Sequence, residues 1–290
     1  MLTTSATTSP TFAIDRFVEG VRALVPVDGQ LHHDWLPDGR TTLVFRVLDG
    51  GRGGDLAVAG PRTRALFKRV HGVTRAAIVR LKPGWSPLLL GVAAHELTDR
   101  IVRIEDLWGR AGSDLYAEIL ATQDLPALLR CLSRAIAVRA LNAPEPASAR
   151  LARRAAGLLD AGELRVQHVA EQLGVTSRHL RRAFTESIGV GLKQYARIAR
   201  LQRAFRLAAT SQDWSRIATD AGYCDQAHLI TDFRAFVGVT PAAFRRHTDG
   251  TSRSQLRTEP VGCGARPAVE RAPLHEGVGA GAERRPRPRS

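Results

Sequence analysis

The segment His168–Ser187, HVAEQLGVTSRHLRRAFTES, contains two helical patterns that are separated by a glycine. The first pattern is a short apolar stripe that ends at Leu173. Gly174 follows, at the position just past a helix where the backbone often takes a positive φ that costs glycine nothing. Two residues later, Thr176 can cap a second helix by accepting an orphan backbone N–H. The segment therefore predicts a helix, a tight turn and a capped helix.

The second helix of this segment has an apolar side and a basic side. Leu180, Phe184 and Ile188 recur every four residues and predict a buried face. The other face carries polar side chains at i, i+3, i+4 and i+7, namely Arg178, Arg181, Arg182 and Thr185. This combination is typical of a helix-turn-helix motif, whose second helix enters the major groove of DNA.

The same arrangement recurs 49 residues further along the chain. Gly222 takes the turn position, Asp225 takes the cap position, and the apolar stripe is Leu229, Phe233 and Val237. The turn of the second copy is longer by one residue. Further matched pairs are Gly189 and Gly238, Val190 and Val239, and Tyr195 and Phe244. A repeat of this length indicates one structural unit that is used twice.

Four motifs in this region resemble the AraC/XylS family of bacterial transcription regulators. They are AEQLGVTSRHLRRAF (170–184), RIARLQRAFRLA (197–208), IATDAGYCDQAHLITDF (217–233) and GVTPAAFR (238–245). The likeness covers roughly residues 149–247. It implies an all-α domain of two helix-turn-helix units joined by a linker helix, which binds promoter DNA and acts on RNA polymerase. Neither activation nor repression follows from these residues.

The first unit is expected to dominate base recognition. Arginine offers a bidentate fork to guanine O6 and N7, and residues at a helix start can hold a phosphate through backbone N–H groups. The alternative is a solvated basic helix face. The predicted DNA contacts are Thr176, Ser177, Arg178, His179, Arg181, Arg182 and Thr185 in the first unit, and Gln226, Ala227, His228, Ile230, Thr231 and Arg234 in the second.

The second unit has fewer groups that can bind DNA. Alanine, isoleucine and threonine stand where the first unit has arginines, and Asp232 is expected to add a negative charge beside Thr231. We therefore hypothesise that the two units contribute unequally to DNA recognition. The first unit determines most of the sequence specificity, and the second contributes more to positioning the protein on the DNA. The linker helix, roughly 192–209, is expected to turn four side chains toward the two units, namely Tyr195, Ile198, Gln202 and Phe205. Its arginines are expected to be mostly solvated or paired, and they are Arg197, Arg200, Arg203 and Arg206.

The charge of this 290-residue chain is unevenly distributed. The formal net charge is +14, of which residues 150–250 carry +7 and residues 251–290 carry +4, against +3 for residues 1–149. A basic C-terminal region beside a nearly balanced N-terminal one fits a nucleic-acid binder with a separate partner module. Three widely spaced cysteines argue against a disulfide framework, and neither a membrane span nor a secretion signal is predicted. A cytoplasmic, nucleoid-associated protein is expected.

The N-terminal region predicts a small β-rich domain with little contact to the rest of the chain. Residues 10–26 have helical spacing, and strand-like runs follow from Leu31, at 41–48, 55–59, 64–70 and 76–81. The segments WLPDG (35–39), AGP (59–61) and LKPGW (81–85), continuing to EDLWG (105–109), resemble an N-terminal domain of one subgroup of these regulators. That resemblance implies a cupin-like sensor fold. Trp35, Phe45 and Trp85 are candidates for an effector pocket, with plain core as the alternative.

No catalytic residue, metal site or cofactor is predicted. His32, His33 and Asp34 are adjacent, but neighbouring residues on a strand point to opposite faces and cannot easily bind one ion. Two other functions stay open. One is a repair-type enzyme fused to a DNA-targeting module, which would need a nucleophilic cysteine or a metal site among residues 1–148, where Cys131 is the single cysteine. The other is an effector-free DNA-binding protein whose N-terminal domain only dimerises.

The predicted fold class is α+β, with four regions. They are a β-rich sensor or oligomerisation domain (1–110), a helical connector and linker (111–148), the double helix-turn-helix domain (149–248) and a disordered basic tail (249–290). Within the connector, an apolar stripe over 125–136 fits either packing inside its own domain or a homodimer interface.

Overall fold

The computed structural model describes residues 14–24, 30–48, 53–141, 144–162 and 165–246. The predicted tail at 249–290 therefore lies outside the described residues. The β-rich region comes first and the helical region follows, which confirms the α+β class. The seven strands are β1 (Val18–Leu24), β2 (Gln30–Trp35), β3 (Thr42–Leu48), β4 (Gly54–Ala59), β5 (Leu66–His71), β6 (Val73–Leu81) and β7 (Ile101–Arg103).

Five strands form one antiparallel sheet in the order β1-β6-β3-β4-β7, and β2 pairs with β5 in a second, two-stranded sheet. Alternation along each strand separates the two faces of the larger sheet. Val44 and Ile78 are buried on the face that Trp35 of β2 covers. Phe45 and Val79 belong to the opposite face, which packs against helices. The strand-like runs from Leu31 onward are thus confirmed.

The predicted N-terminal helix is wrong from residue 15 onward, while Ile14, the first described residue, is helical. Residues 15–17 form a turn, in which the Phe17 N–H donates to the Ile14 carbonyl at 2.8 Å, and Val18–Leu24 is the edge strand β1. The apolar spacing fits a helix locally, but pairing with β6 satisfies the backbone of this segment instead. Tertiary pairing overrides local preference here because Val18 gains a buried site in the sheet core.

The helices that follow β6 cover one face of the larger sheet. They are α1 (Ser86–Leu90), a 3-10 helix (Ala94–Leu97), α2 (Ile104–Trp108), α3 (Arg110–Ala121) and α4 (Leu125–Leu141). The α4 stripe packs inside its own domain, because Leu128, Leu132 and Ile136 are buried in the same core as Phe45. This finding favours the intradomain alternative for that stripe.

The C-terminal helices are α5 (Ala147–Ala161), α6 (Val166–Gln172), α7 (Ser177–Ile188), α8 (Leu192–Ala208), α9 (Trp214–Ala221) and α10 (Gln226–Val237), and residues 241–246 are also helical. They enclose two separate cores. Phe184 centres the first, which draws on α5 to α8, and Phe233 centres the second, which draws on α8 to α10. The helix α8 runs through both. Among the described residues, no helix is long and apolar enough to span a membrane.

The β-rich domain contacts the helical domain directly, which corrects the expectation of little contact. The β2–β3 loop contacts two helices, because Arg40 donates to the Tyr195 hydroxyl of the linker helix α8 and to the Asp160 carboxylate of α5, the latter at 2.9 Å. Gly39 has φ 66°, and a Cβ there would lie 2.6 Å from the Tyr195 ring. Glycine is therefore required for this close approach. Sequence reasoning missed this contact, because no local pattern marks a loop residue as an interdomain anchor.

Two further contacts reach the C-terminal ends of α7 and α10. Thr98 donates its hydroxyl to the Gly189 carbonyl at 2.7 Å, and Gly189 is the residue that ends α7. The Ala65 N–H donates to the Phe236 carbonyl at 2.7 Å, within the last turn of α10. The β-rich domain therefore bonds to both helix-turn-helix units.

Candidate nucleic-acid interface

Both units make the same turn. Gly174 has φ 65° and Gly222 has φ 89°, a backbone conformation that side chains with a Cβ disfavour. In each copy the residue after the glycine donates its backbone N–H to the carbonyl five residues earlier, over 3.0 and 2.9 Å. These bonds close the ends of α6 and α9. The predicted glycine turns are confirmed.

The helices that follow these turns are capped as expected. The Thr176 hydroxyl accepts the His179 N–H at 3.2 Å, and the Asp225 carboxylate accepts the His228 N–H at 2.7 Å. Each cap satisfies one of the backbone donors left free at a helix start. The Asp225 carboxylate also places a negative charge at the positive end of the α10 dipole. The caps thus stabilise the first turns of α7 and α10.

The repeat extends to an aromatic pair in each unit. Phe184 meets Tyr195 edge to face with ring centroids 5.2 Å apart, and Phe233 meets Phe244 in the same way at 5.6 Å. Both phenylalanines are fully buried. Burial of each ring orients its helix, so that the opposite face of α7 and of α10 is turned outward.

The outward face of α7 is basic. Arg178, Arg181 and Arg182 are exposed, and none of the three forms an ion pair within the part of the chain that the structure describes. His179 and Thr176 are also exposed, and Ser177 and Thr185 are half-buried. Three unpaired guanidinium groups on a rigid helix present donors that suit phosphate and guanine edges.

The outward face of α10 is mostly uncharged. Exposed positions are Gln226, Ala227, Thr231 and Arg234, and half-buried positions are His228 and Ile230. The Thr231 hydroxyl donates to the Ala227 carbonyl at 2.9 Å, so its proton is already used within the helix. Gln226 is thus the exposed side chain on this face that offers both donors and an acceptor.

The expectation that Asp232 adds a negative charge beside Thr231 is wrong. Asp232 is only 3% exposed and accepts from Arg197 of the linker helix at 2.8 Å, so its carboxylate points into the domain and away from the outward face. Periodicity explains the error, because Asp232 precedes the buried Phe233 on the inner side of α10. The outward face of α7 therefore carries three arginines and that of α10 carries one, and Asp232 adds no negative charge to the α10 face.

Arginines of the linker helix mostly act inside the protein. Besides the Arg197–Asp232 pair, Arg200 lies over the Tyr223 ring at 5.1 Å. Arg203 donates to the Ala221 carbonyl at 3.1 Å, which satisfies an acceptor at the end of α9. These contacts agree with the expectation that most of them are paired. One linker side chain departs from prediction, because Gln202 donates to the Pro37 carbonyl of the β-rich domain at 2.5 Å rather than facing the two units.

The three aromatic residues suggested for an effector pocket do not come together. Trp85 is buried against Phe17, with ring centroids 4.8 Å apart. Phe45 lines a cavity of about 220 Å³ beside α4, while Trp35 lies across the opposite face of the larger sheet, next to His33. Phe45 and Trp85 are part of the same core on the helix-covered side of the larger sheet, and Trp35 is separated from both by the sheet.

The described residues contain no group of three or more His, Cys, Asp or Glu side chains that could hold a metal ion. Burial, together with the Glu118 carboxylate that it contacts at 3.3 Å, raises the pKa of the Cys131 thiol. The thiol therefore stays protonated at neutral pH and lacks the reactivity of a catalytic cysteine.

Two family models match the chain. A model described as a helix-turn-helix domain matches residues 148–247, where the two capped units lie. The C-terminal region is an AraC-type helix-turn-helix domain. A model described as a domain of unknown function (DUF6597) matches residues 7–103, which include the strands. The AraC-type domain is thus joined to an N-terminal region of a separate family.

Curated relatives and solved structures are similar to parts of the chain. An uncharacterized HTH-type transcriptional regulator of Staphylococcus aureus is 28% identical over 94 residues, and the matched part spans 32% of this chain and 13% of that protein. The C-terminal domain of the response regulator AraT from Geobacillus stearothermophilus is 27% identical, covering 33% of this chain and 84% of that one, with TM-score 0.32. ToxT from Vibrio cholerae O395 is 10% identical over 77% of this chain and 92% of its own, with TM-score 0.38.

Removing the caps is expected to weaken the AraC-type domain without unfolding it. Thr176→Ala and Asp225→Ala each leave one backbone N–H of the first turn unsatisfied, at a cost of about 1 kcal/mol in the free energy of unfolding. Urea unfolding followed by circular dichroism measures this loss. Thr176→Ser serves as the matched control, since serine caps as well as threonine. A loss at Thr176→Ser equal to that at Thr176→Ala would contradict a capping role.

Proposed function

We propose that this chain is a sequence-specific DNA-binding transcription regulator that acts at promoters. The observation that supports it best is the structural repeat, in which one linker helix carries two capped helices with outward polar faces. A helix-turn-helix protein places such a helix in the major groove. Because α8 joins the units rigidly, α7 and α10 can enter successive turns of one duplex face, about 34 Å apart.

The two helices have different roles in this proposal. Arg178, Arg181 and Arg182 of α7 read guanine edges or bind phosphate, and residues at its start hold the backbone. On α10, Gln226 and His228 bond base edges, while Ala227 and Ile230 contact thymine methyl groups. The remaining proposed contacts are Thr176, Ser177, His179, Thr185, Thr231 and Arg234. Specificity is therefore carried mainly by the first unit.

Regulation is proposed to pass through the β-rich domain. That domain bonds to the linker helix through Arg40 and to the ends of both reading helices through Thr98 and Ala65. A small molecule or a second copy of the chain that changes these contacts would change the distance between α7 and α10. The helices α7 and α10 then bind a promoter and recruit or hinder RNA polymerase. The proposed location is the cytoplasm, at the nucleoid. No catalytic step is part of this function.

The proposed boundaries follow the same division. Residues 1–110 form the sensor or oligomerisation domain, residues 111–148 connect it, residues 149–248 read DNA, and residues 249–290 are a basic tail. The helix α5 begins at Ala147, close to the proposed end of the connector. Each DNA-reading helix lies within the third region, so the first two regions act on DNA only through their contacts with it.

Selection from genomic DNA tests the proposal. The full-length protein is incubated with sheared DNA of its source at about 0.15 M salt, and bound fragments are sequenced. A specific regulator prefers its sites over bulk DNA by about a thousandfold or more, so a short list of promoter fragments sharing a motif is expected. Retention of all fragments in proportion to their abundance would contradict the proposal, because phosphate contacts alone carry no sequence preference.

A further inference from the structure

One guanidinium group of the linker helix α8 contacts two successive turns of α10. Arg197 donates from Nε and Nη2 to Oδ1 of Asp232, over 3.2 and 2.8 Å. Its guanidinium carbon also lies 4.8 Å from the centre of the Phe236 ring, one helical turn further along α10. A charge-assisted hydrogen bond is directional and apolar contact is not, so this pair constrains the rotation of α10 more sharply than core packing does.

The second oxygen of this carboxylate belongs to a buried polar cluster. Oδ2 of Asp232 is buried and accepts no hydrogen bond from any residue that the structure describes. The same holds for the Tyr223 hydroxyl, in the segment between α9 and α10, which has no hydrogen bond within the described ranges. Asp232 is 3% exposed and Tyr223 is 4% exposed. Unpartnered polar atoms this deeply buried cost free energy, so two of them in one small region require an explanation.

The two residues lie within electrostatic reach of each other. Arg200, one turn after Arg197 on α8, lies over the Tyr223 ring, and its Nε is also buried without a hydrogen bond among the described residues. Burial, followed by the negative charge of Asp232, raises the pKa of the Tyr223 hydroxyl, while the nearby arginines oppose that shift. The hydroxyl therefore stays protonated at neutral pH and can donate toward the carboxylate.

We propose that Asp232 is a positioning residue for DNA recognition, whose Oδ1 fixes α10 to Arg197 and whose Oδ2 joins the Tyr223 hydroxyl through one ordered water molecule. An anion in this place would meet the Asp232 carboxylate, and a cation would meet Arg197 and Arg200, so neither sign of charge suits the cluster. Water both donates and accepts, which suits one free carboxylate oxygen, one hydroxyl and one N–H.

The position of Asp232 on α10 explains why this junction would affect recognition. Its neighbours in sequence are Thr231, on the outward face, and Phe233, at the centre of the second core. Successive base pairs are about 3.4 Å apart along the duplex. A small displacement of α10 relative to α7 therefore changes the half-site spacing that the two helices fit. This consequence rests on the proposed function, whereas the junction itself can be tested without DNA.

A double-mutant cycle on the full-length protein tests the junction. Tyr223→Phe and Asp232→Asn are measured singly and together by urea unfolding, and each is expected to lower the midpoint. Because one water joins the two groups, the double variant is expected to lose less than the product of the two single changes in the unfolding constant, by about twofold or more. Additive effects, or a midpoint raised by Tyr223→Phe, would overturn the link between Asp232 and Tyr223.

Tyr116→Phe is the matched control for the cycle. It makes the same chemical change in the β-rich domain, where the Tyr116 hydroxyl donates to the Gly54 carbonyl at 3.2 Å. Its effect is expected to add to that of Asp232→Asn, because the two sites share no partner. Equal coupling of Asp232→Asn to both tyrosine variants would show a global effect and would overturn the assignment.

Half-site spacing tests the positioning role. A promoter fragment recovered by genomic selection is altered by one base pair added or removed between its two half-sites. The wild-type protein is expected to prefer the native spacing, and Asp232→Asn is expected to lose part of that preference. Ile217→Val, which removes a buried methyl group from the same unit, lowers stability but is expected to keep the preference, because partial unfolding weakens binding to every spacing alike.

The outcomes separate this inference from the proposed function. An unchanged spacing preference in Asp232→Asn, or an equal loss in Ile217→Val, would overturn the positioning role while specific DNA binding stands. If selection recovers no preferred fragments, the proposed function fails, and coupling in the double-mutant cycle still supports the junction of Asp232 with Tyr223.

Discussion

Arg182→Ala is expected to reduce discrimination between operator and bulk DNA by roughly 5- to 150-fold, which corresponds to about 1–3 kcal/mol. The side chain is exposed on the outward face of α7 and has no ion pair within the described structure to compensate for its removal. Gln226→Ala on α10 is expected to cost less, because α10 has a single exposed arginine and contributes more to positioning. Competition binding at constant salt measures both ratios.

Arg154→Ala is the matched control for this pair. Arg154 is an exposed arginine of α5 outside both reading helices, so its removal tests the loss of one charge alone. A general loss of charge lowers specific and nonspecific affinity together and leaves their ratio unchanged. Equal losses of discrimination for Arg182→Ala and Gln226→Ala, or a larger loss at Gln226, would reject the unequal-reader hypothesis.

Phe233→Ala is expected to lower the free energy of unfolding by about 3–5 kcal/mol, as typical for removing a buried phenylalanine. Phe233 is fully buried and meets Phe205, Trp214 and Phe244 at ring distances of 5.3, 6.1 and 5.6 Å. Its loss leaves a cavity at the centre of the second unit. Chemical denaturation of the full-length protein gives the magnitude, and amide hydrogen exchange shows which helices lose protection.

Two further variants make this prediction specific. Phe184→Ala removes the equivalent ring of the first unit and is expected to cost a similar free energy, with protection lost in α7 rather than in α10. Lys193→Ala on the exposed side of the linker helix is expected to change stability by less than about 0.5 kcal/mol. If Phe184→Ala reduced hydrogen-exchange protection only in α10, or Phe233→Ala only in α7, the conclusion that the two units have separate cores would be contradicted.

The helical domain could be predicted from the sequence because its main signals are local. Glycine at the turn, threonine or aspartate at the cap and an apolar residue every fourth position each act over a few residues. The second copy of the pattern, 49 residues further along, makes a chance match improbable. The strands after Leu31 were predictable for the same reason, since alternation of apolar side chains is a local property of a half-buried strand.

What sequence reasoning missed depends on distant partners. The edge strand Val18–Leu24 exists because β6 pairs with it, and the paired residues lie more than fifty positions apart in the chain. The inward turn of Asp232 depends on Arg197 of another helix. The contact of Arg40 with Tyr195 joins two domains through a loop that has no periodic pattern. None of these pairings leaves a signal within a short window of sequence.

Methylation protection on a selected operator tests the central claim most directly, because dimethyl sulfate reports the guanine N7 atoms of the major groove. If α7 and α10 enter successive turns, the full-length protein protects two patches on one face of the duplex, about 10–10.5 base pairs apart. Arg182→Ala is expected to weaken protection in one patch and spare the other. A single protected patch, or two patches on opposite faces, would contradict the account.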